Sequence, residues 1–322
     1  MAKTLGETYH FLMWHKLYFK NRLLVAVAFV LFFSLSFAQV PSLTYAPIHV
    51  LIDMEATKDA NAYELIAHKL AWTQAKPRDV LLWLDGISDV NARGVSDRTA
   101  LMRAAEHNDN PAIITLLIDA GAEINAKDSG GMTALIRAAE YNDNPAIVTL
   151  LIDAGADIEV QDKYGNTALY YAASSKNSKA VEKLLELGAD VDARGESGET
   201  PLMQAISEGR LDIITALLSA GANVDMRDDY GLSALDHAAL YGDTSSIKLL
   251  VEAGADVNAQ GLEKLTALMF ATIEPNSIIA LLDAGADANL RDTDGKTALD
   301  HANEEGYLDG TEAYRRLLEA TR

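Results

Sequence analysis

Residues 162–193 read DKYGNTALYYAASSKNSKAVEKLLELGADVDA, and the order of their chemistry decides the fold. The polar turn Asp162-Lys163-Tyr164-Gly165 leads to Thr167, whose hydroxyl can accept a hydrogen bond from the first turn of a helix. Ala172 and Ala173 keep that helix narrow, so a neighbour can approach closely. A loop follows, then a second helix closed by Gly188-Ala189. In the next unit the second helix carries Ile213, Ile214, Leu217 and Leu218, at spacings of three and four that put them on one face. Gly221 supplies the left-handed residue that ends it, and Ala222-Asn223-Val224-Asp225 runs extended into the next turn. One unit is therefore helix, loop, helix, hairpin, too small to bury its own apolar face.

The unit recurs. Thr99-ALMRA, Thr133-ALIRA, Thr167-ALYYA, Thr200-PLMQA, Ser233-ALDHA, Thr266-ALMFA and Thr297-ALDHA follow one another at intervals of 34, 34, 33, 33, 33 and 31 residues. Gly-Ala pairs keep the same phase at Gly121, Gly155, Gly188, Gly221, Gly254 and Gly285. Two independent landmarks in step predict seven repeats over residues 93–322, at about 93–126, 127–160, 161–193, 194–226, 227–259, 260–290 and 291–322. Asn108-Asp109-Asn110-Pro111 and Asn142-Asp143-Asn144-Pro145 are nearly identical loops with one extra residue, the mark of a recent duplication. The sixth unit is two residues short, which predicts a clipped or tilted second helix through Leu281-Leu282.

These residues resemble the ankyrin repeat, whose pattern is Asp-x-x-Gly-x-Thr, then Pro-Leu-His-x-Ala, then a leucine-rich helix ending in Gly-Ala-Asp-Val-Asn. The match runs from about Asn91 to the C-terminus and is fullest over Asp228–Ala238 and Gly254–Ala259. Only Pro201 keeps the family's proline, and its histidine position holds Met102, Ile136, Tyr170, Met203, Asp236, Met269 and Asp300. That departure puts the family's histidine hydrogen-bond network in doubt. The resemblance implies an all-α solenoid, elongated and curved, of stacked helix-loop-helix units with β-hairpins along one edge.

Both ends differ from the repeats. Residues 59–92 read as a degenerate capping repeat, with Tyr63-ELIAHKLAW and Asp79-VLLWLDGISDVNA as its two helices. Ala313-Tyr314-Arg315-Arg316-Leu317-Leu318 suits a terminal helix with one wet side. Residues 39–58, with Pro41 and Pro47, form a partly extended tether. Ahead of it, Lys3, Lys16, Lys20 and Arg22 precede the apolar run LLVAVAFVLFFSLSF at 23–37. Fifteen residues fall short of the roughly 20 needed to span a bilayer, and Ser36-Phe37-Ala38 offers a signal-peptidase site. The expectation is a signal peptide over 1–38 cleaved after Ala38. Retention of the segment as a membrane anchor is the alternative, and Met13 offers a second start with a more ordinary basic region.

Composition narrows the partner. The chain of 322 residues carries 27 Lys plus Arg against 47 Asp plus Glu, a net charge of −20, which repels nucleic acid and anionic lipid. Loss of residues 1–38 would take the charge to −23. There is no cysteine, so disulfides, thiolate metal sites and a cysteine nucleophile are excluded.

No catalytic or metal motif withstands inspection. Gly295-Lys296-Thr297 copies the end of a phosphate loop, but position 290 is Leu where the leading glycine must stand. Asp292-Thr293-Asp294-Gly295 opens like a calcium loop without an acid at the fifth position. Ser245-Ser246-Ile247-Lys248 falls where a helix cap belongs. His237 and His301 share one repeat position, each after an Asp, which argues for a structural role, and they stand too far apart for one ion. Neither cofactor nor metal is expected, nor an enzyme.

What the resemblance implies instead is protein binding on the concave face, through turn residues and the ends of the first helices. Carried onto this sequence, those positions give Tyr141, Tyr164, Tyr230, Leu232, Leu240, Tyr241, Leu262 and Leu265. Tyrosine and leucine there offer large apolar area with little side-chain entropy to lose. Among acids such as Glu196, Glu199, Asp229, Glu263 and Glu274, they suggest a partner protein with a basic rim. The expected molecule is a monomeric, exported binding scaffold, periplasmic or secreted. A membrane-anchored scaffold and a secreted effector that meets host proteins are the alternatives.

Overall fold

The computed structural model describes residues 72–86 and 89–321. The signal or anchor segment, the start at Met13, the tether and the helix expected from Tyr63 lie outside the described residues.

Two helices per unit stack in two layers. The first helices are α2 (Ala100–His107), α4 (Ala134–Tyr141), α6 (Ala168–Ser174), α8 (Pro201–Ser207), α10 (Ala234–Tyr241), α12 (Ala267–Phe270) and α14 (Ala298–Glu305). The second helices are α3 (Pro111–Asp119), α5 (Pro145–Asp153), α7 (Ser178–Glu186), α9 (Leu211–Ser219), α11 (Thr244–Glu252), α13 (Pro275–Asp283) and α15 (Glu312–Ala320). Each helix packs on its counterpart in the next unit, so the described chain is an α-solenoid. Helix α1 (Pro77–Gly86) packs against α3 and extends the second layer by one helix ahead of the first repeat.

The Thr or Ser that opens each first helix caps it. The hydroxyls of Thr99, Thr133, Thr167, Thr200, Ser233, Thr266 and Thr297 accept from the N–H three residues on, at 3.3 to 3.4 Å. In the fifth and seventh units Asp236 and Asp300 return the bond, accepting from the N–H of Ser233 and of Thr297 at 2.8 Å. An aspartate capping box thus stands where the family pattern has its histidine. Buried alanines, from Ala104 and Ala105 to Ala238 and Ala239, let the first helices lie close together. The second layer buries Ile113, Ile114 and Leu117 and their counterparts, each worth about 1.5–3 kcal/mol once removed from water. At the helix ends Gly221 sits at φ 90°, in the left-handed region that glycine occupies without strain.

An internal ladder ties the early units. The Asn142 Nδ2 donates to the carbonyls of Ala105 and Asn108 at 2.9 and 3.1 Å. Asn177 repeats this on Ala139 and Asn142, and Asn108 on Trp72 and Ala75. Trp72 and Ala75 therefore occupy the places of a preceding unit. All three asparagines are buried. The twin loops match too: Asn110 and Asn144 cap α3 and α5 with the same bond, 3.1 Å from the N–H of Ala112 and of Ala146.

Two expectations need correction. The hairpins are compact turns: among the described residues there is no strand, only one antiparallel bridge between Arg227 and Ser233. In the sixth unit the second helix keeps nine residues, Pro275–Asp283, and it is the first helix that is clipped, four residues of α12 passing into a 3-10 turn at Ala271–Ile273. Buried Ile278 and Leu281 hold α13 in register with its neighbours. The missing length is recovered in the turn, because a 3-10 segment rises about 2.0 Å per residue against 1.5 Å in an α-helix. No helix among the described residues is long and apolar enough to cross a membrane.

Candidate binding surface

The turns ahead of the first helices are built in two ways. In the second, third, fifth and seventh units an aspartate pins the loop from inside: Asp228 Oδ1 accepts from the N–H groups of Tyr230 and Leu232 at 2.9 and 2.8 Å. Asp162 does the same for Tyr164 and Asn166, Asp128 for Gly130 and Met132, and Asp292 for Asp294 and Lys296. The residue two after the aspartate is left at the tip, which is where Tyr164 and Tyr230 stand.

In the first, fourth and sixth units glycine takes the place of that aspartate, at Gly94, Gly195 and Gly261, and a 3-10 turn follows. Its middle residue, Ser96, Ser197 or Glu263, has positive φ. Gly195 leaves no room for a Cβ, which would fall 2.5 Å from Asn166 Oδ1 and 2.7 Å from the Tyr170 ring. Successive tips are bonded by backbone: Ser129 donates to Ser96, Lys163 to Gly130, Asp229 to Ser197 and Thr293 to Glu263, at 2.9 to 3.1 Å. Asn166 Oδ1 joins the third tip to the fourth by accepting from the Glu196 N–H at 2.7 Å.

On this scaffold the eight residues expected at an interface separate. Tyr164, Tyr230 and Leu262 are exposed on the turns, 54%, 38% and 65% accessible, and Tyr141 is exposed at the end of α4. Lys163 Nζ lies 5.3 Å from the Tyr164 ring centre, a cation–π contact beside the tip. Leu232, Leu240 and Leu265 are buried. Their expectation as surface anchors is corrected: Leu232 and Leu265 stand at the same place in successive units, directly before the capping Ser233 and Thr266, with their side chains packed away from solvent, and Leu240 is buried near the end of α10. Tyr241 is half-buried, its ring stacked on His237 at 6.2 Å.

The other aspartate oxygen reaches into the first helix. Asp128 Oδ2 accepts from Arg137 Nη2 at 2.6 Å, and Asp162 Oδ2 from the Tyr171 hydroxyl at 2.7 Å. Asp228 Oδ2 lies 3.0 Å from His237 Nε2, and Asp292 Oδ2 lies 2.8 Å from His301 Nε2. The partner is always nine residues on, so both histidines are locks between turn and helix. Their shared repeat position marks both as structural, and the common Asp-to-ninth-residue spacing is the signal in the sequence that identifies their partners.

Charge on this surface is sorted along the array. Arg98, Arg137, Glu106 and Asp128 form a partly buried cluster across the first two units. Burial drives the Asp128 carboxyl up, but the Arg137 bond and the N–H groups of Met132 and Gly130 bring it below the usual range. Glu140 and Glu208, at the ends of α4 and α8, are pushed up by burial. One constellation has metal-ligand chemistry: single ligand atoms of Glu199, Asp228 and His237 lie within 4.8 Å of one another.

The family model described as ankyrin repeats (three copies) matches residues 70–162, 101–195, 192–261 and 235–320, and so covers the chain from 70 to 320. No curated protein matches the chain.

Proposed function

Because the chain belongs to the ankyrin-repeat family, whose arrays are in general protein–protein interaction modules, we propose that it is a non-catalytic scaffold that binds a partner protein along its row of turns. Tyr164, Tyr230 and Leu262 carry the contact, with Tyr141 beside them at the end of α4. The observation behind this reading is that these side chains are exposed on loops whose backbone is already fixed, by Asp162, by Asp228 and by the bonds between tips. An apolar anchor held on a rigid loop loses little entropy on binding, which is what concentrates interface energy in a few residues. Acids beside them, Glu196, Asp229 and Glu263 among them, favour a partner with a basic rim.

The array works outside the cytoplasm as a monomer, directed there by residues 1–38. A mature chain beginning at Gln39 would support export with cleavage, and a membrane-bound chain of full mass would refute cleavage. Binding is tested by capturing the partner with the native chain and with a Tyr164→Ser, Tyr230→Ser, Leu262→Ser variant of unchanged helicity. The variant is expected to lose the partner. Equal recovery by both would place the interface elsewhere.

A further inference from the structure

At the junction of the fourth and fifth units a buried Asp–His pair meets a second carboxylate. Asp228 is committed on one oxygen to the N–H groups of Tyr230 and Leu232, which leaves Oδ2 facing His237 Nε2 at 3.0 Å. Both side chains are almost fully buried, at 0% and 4% accessible. Glu199, the residue before the cap Thr200, offers a carboxylate oxygen that lies within 4.8 Å of one ligand atom of each of these two side chains.

The array supplies its own comparisons for that third residue. At the junction of the first and second units Arg98 occupies the position of Glu199 and reaches Asp128 Oδ2 at 3.8 Å, so the position does address the next unit's turn aspartate. There a cation meets the carboxylate, whereas Glu199 sets a like charge against Asp228. At the junction of the sixth and seventh units the position is Leu265, and the Asp292–His301 pair stands as a lock alone. Only the Glu199 junction brings three ligand groups together among the described residues.

We propose that Glu199, Asp228 and His237 form a binding site for one divalent transition ion, zinc by its ligand chemistry. One imidazole and two carboxylates neutralise the dication and leave a fourth position for water. In tetrahedral coordination with bonds of about 2.0–2.1 Å, ligand atoms stand about 3.3 Å apart. The Asp228–His237 edge is close to that, and Glu199 closes the remainder by turning its side chain. The groups that would steady the ligands are in place. Ser207 Oγ lies 3.5 Å from His237 Nδ1, ready to accept its proton when Nε2 takes the metal, and the Tyr170 hydroxyl lies 3.1 Å from Glu199 Oε2.

The test is titration of the metal-free chain with Co2+, followed by its visible absorption, and displacement by Zn2+. Native protein, Glu199→Leu, His237→Asn and His301→Asn are compared. Glu199→Leu installs the residue that the sixth unit already carries at this position, so it keeps the fold even if His237→Asn does not. The native chain and His301→Asn should bind one ion with equal affinity, and Glu199→Leu should bind at least about tenfold more weakly, the scale on which even outer-shell changes act. Absence of binding to the native chain, equal affinity in Glu199→Leu, or an equal loss in His301→Asn would each overturn the site. None of these readouts depends on partner binding.

Discussion

Asp128 Oδ2 accepts a hydrogen bond from Arg137 Nη2 at 2.6 Å, and the same bond, from the residue nine places on, recurs with tyrosine in the third unit and histidine in the fifth and seventh. The acceptor is constant while the donor changes. What the fold requires at this position is therefore a polar atom that can reach the turn carboxylate, and a cation, a phenol and an imidazole all meet the requirement.

Burial grades the cost of losing the bond. Arg137 and Asp128 expose 8% and 2% of their side chains, against 15% and 4% for His301 and Asp292. Removing one partner of a buried ion pair strands the other, so Arg137→Leu should cost about 3 kcal/mol. His301→Asn should cost about 1 kcal/mol, the scale of one hydrogen bond. Urea unfolding of the two variants orders them, and an equal loss in both would contradict the assignment.

Two carboxylates of the second unit should respond to pH in opposite directions. Asp128 is held below its unfolded range, so its contribution is complete above about pH 4 and is lost as pH falls through the lower folded value. Asp128→Asn is accordingly less stable than the native chain at pH 7, with the deficit shrinking in acid. Glu140 is raised by burial, so its ionised form penalises the fold at neutral pH and protonation relieves it. Glu140→Gln is expected to be the more stable at pH 7, with the advantage fading as pH falls toward the unfolded carboxyl value. Unfolding curves across pH 3–7 check both signs.

Asn142 is the middle rung of the buried ladder. Asn142→Ala deprives the carbonyls of Ala105 and Asn108 of their donor and should cost about 2–3 kcal/mol. Hydrogen exchange should quicken in the first three units and remain unchanged in α13 to α15, since each repeat contacts only its neighbours.

Two glycines with similar backbone angles separate conformation from space. Gly121 and Gly131 lie at φ 90° and 81°, but a Cβ on Gly121 meets nothing within 4 Å, while one on Gly131 falls 2.8 Å from the Lys163 backbone nitrogen. Gly121→Ala should cost about 1 kcal/mol from the left-handed conformation alone. Gly131→Ala should cost clearly more, because it also breaks the Lys163 bond between neighbouring tips. Thermal unfolding of the pair measures the difference.

The repeats, their caps and their terminating glycines were legible in the sequence because each depends on a local residue type in fixed phase. Features set by a neighbouring unit were not. The clipping of α12 follows from the register that Ile278 and Leu281 keep with the layers on either side, which no reading of the sixth unit alone reveals. Leu232 and Leu265 share a turn with exposed residues and are nonetheless buried, while Arg98 and Lys296 at the same position in other units are partly exposed, so the turn pattern alone does not tell which way the position faces. Tyr164 and Tyr230 were found because they occupy the tip of an Asp-x-x-Gly turn. The Glu199–Asp228–His237 group was missed because its members come from two units and only their stacking joins them.

The most direct measurement of the binding account is hydrogen exchange of the array with and without its captured partner. Protection is predicted at the tips, over residues 163–165, 229–231 and 261–264, and at the end of α4 near Tyr141, with the solvent side of the second-helix layer unchanged. Protection confined to the second helices, with the tips exchanging as in the free chain, would contradict it.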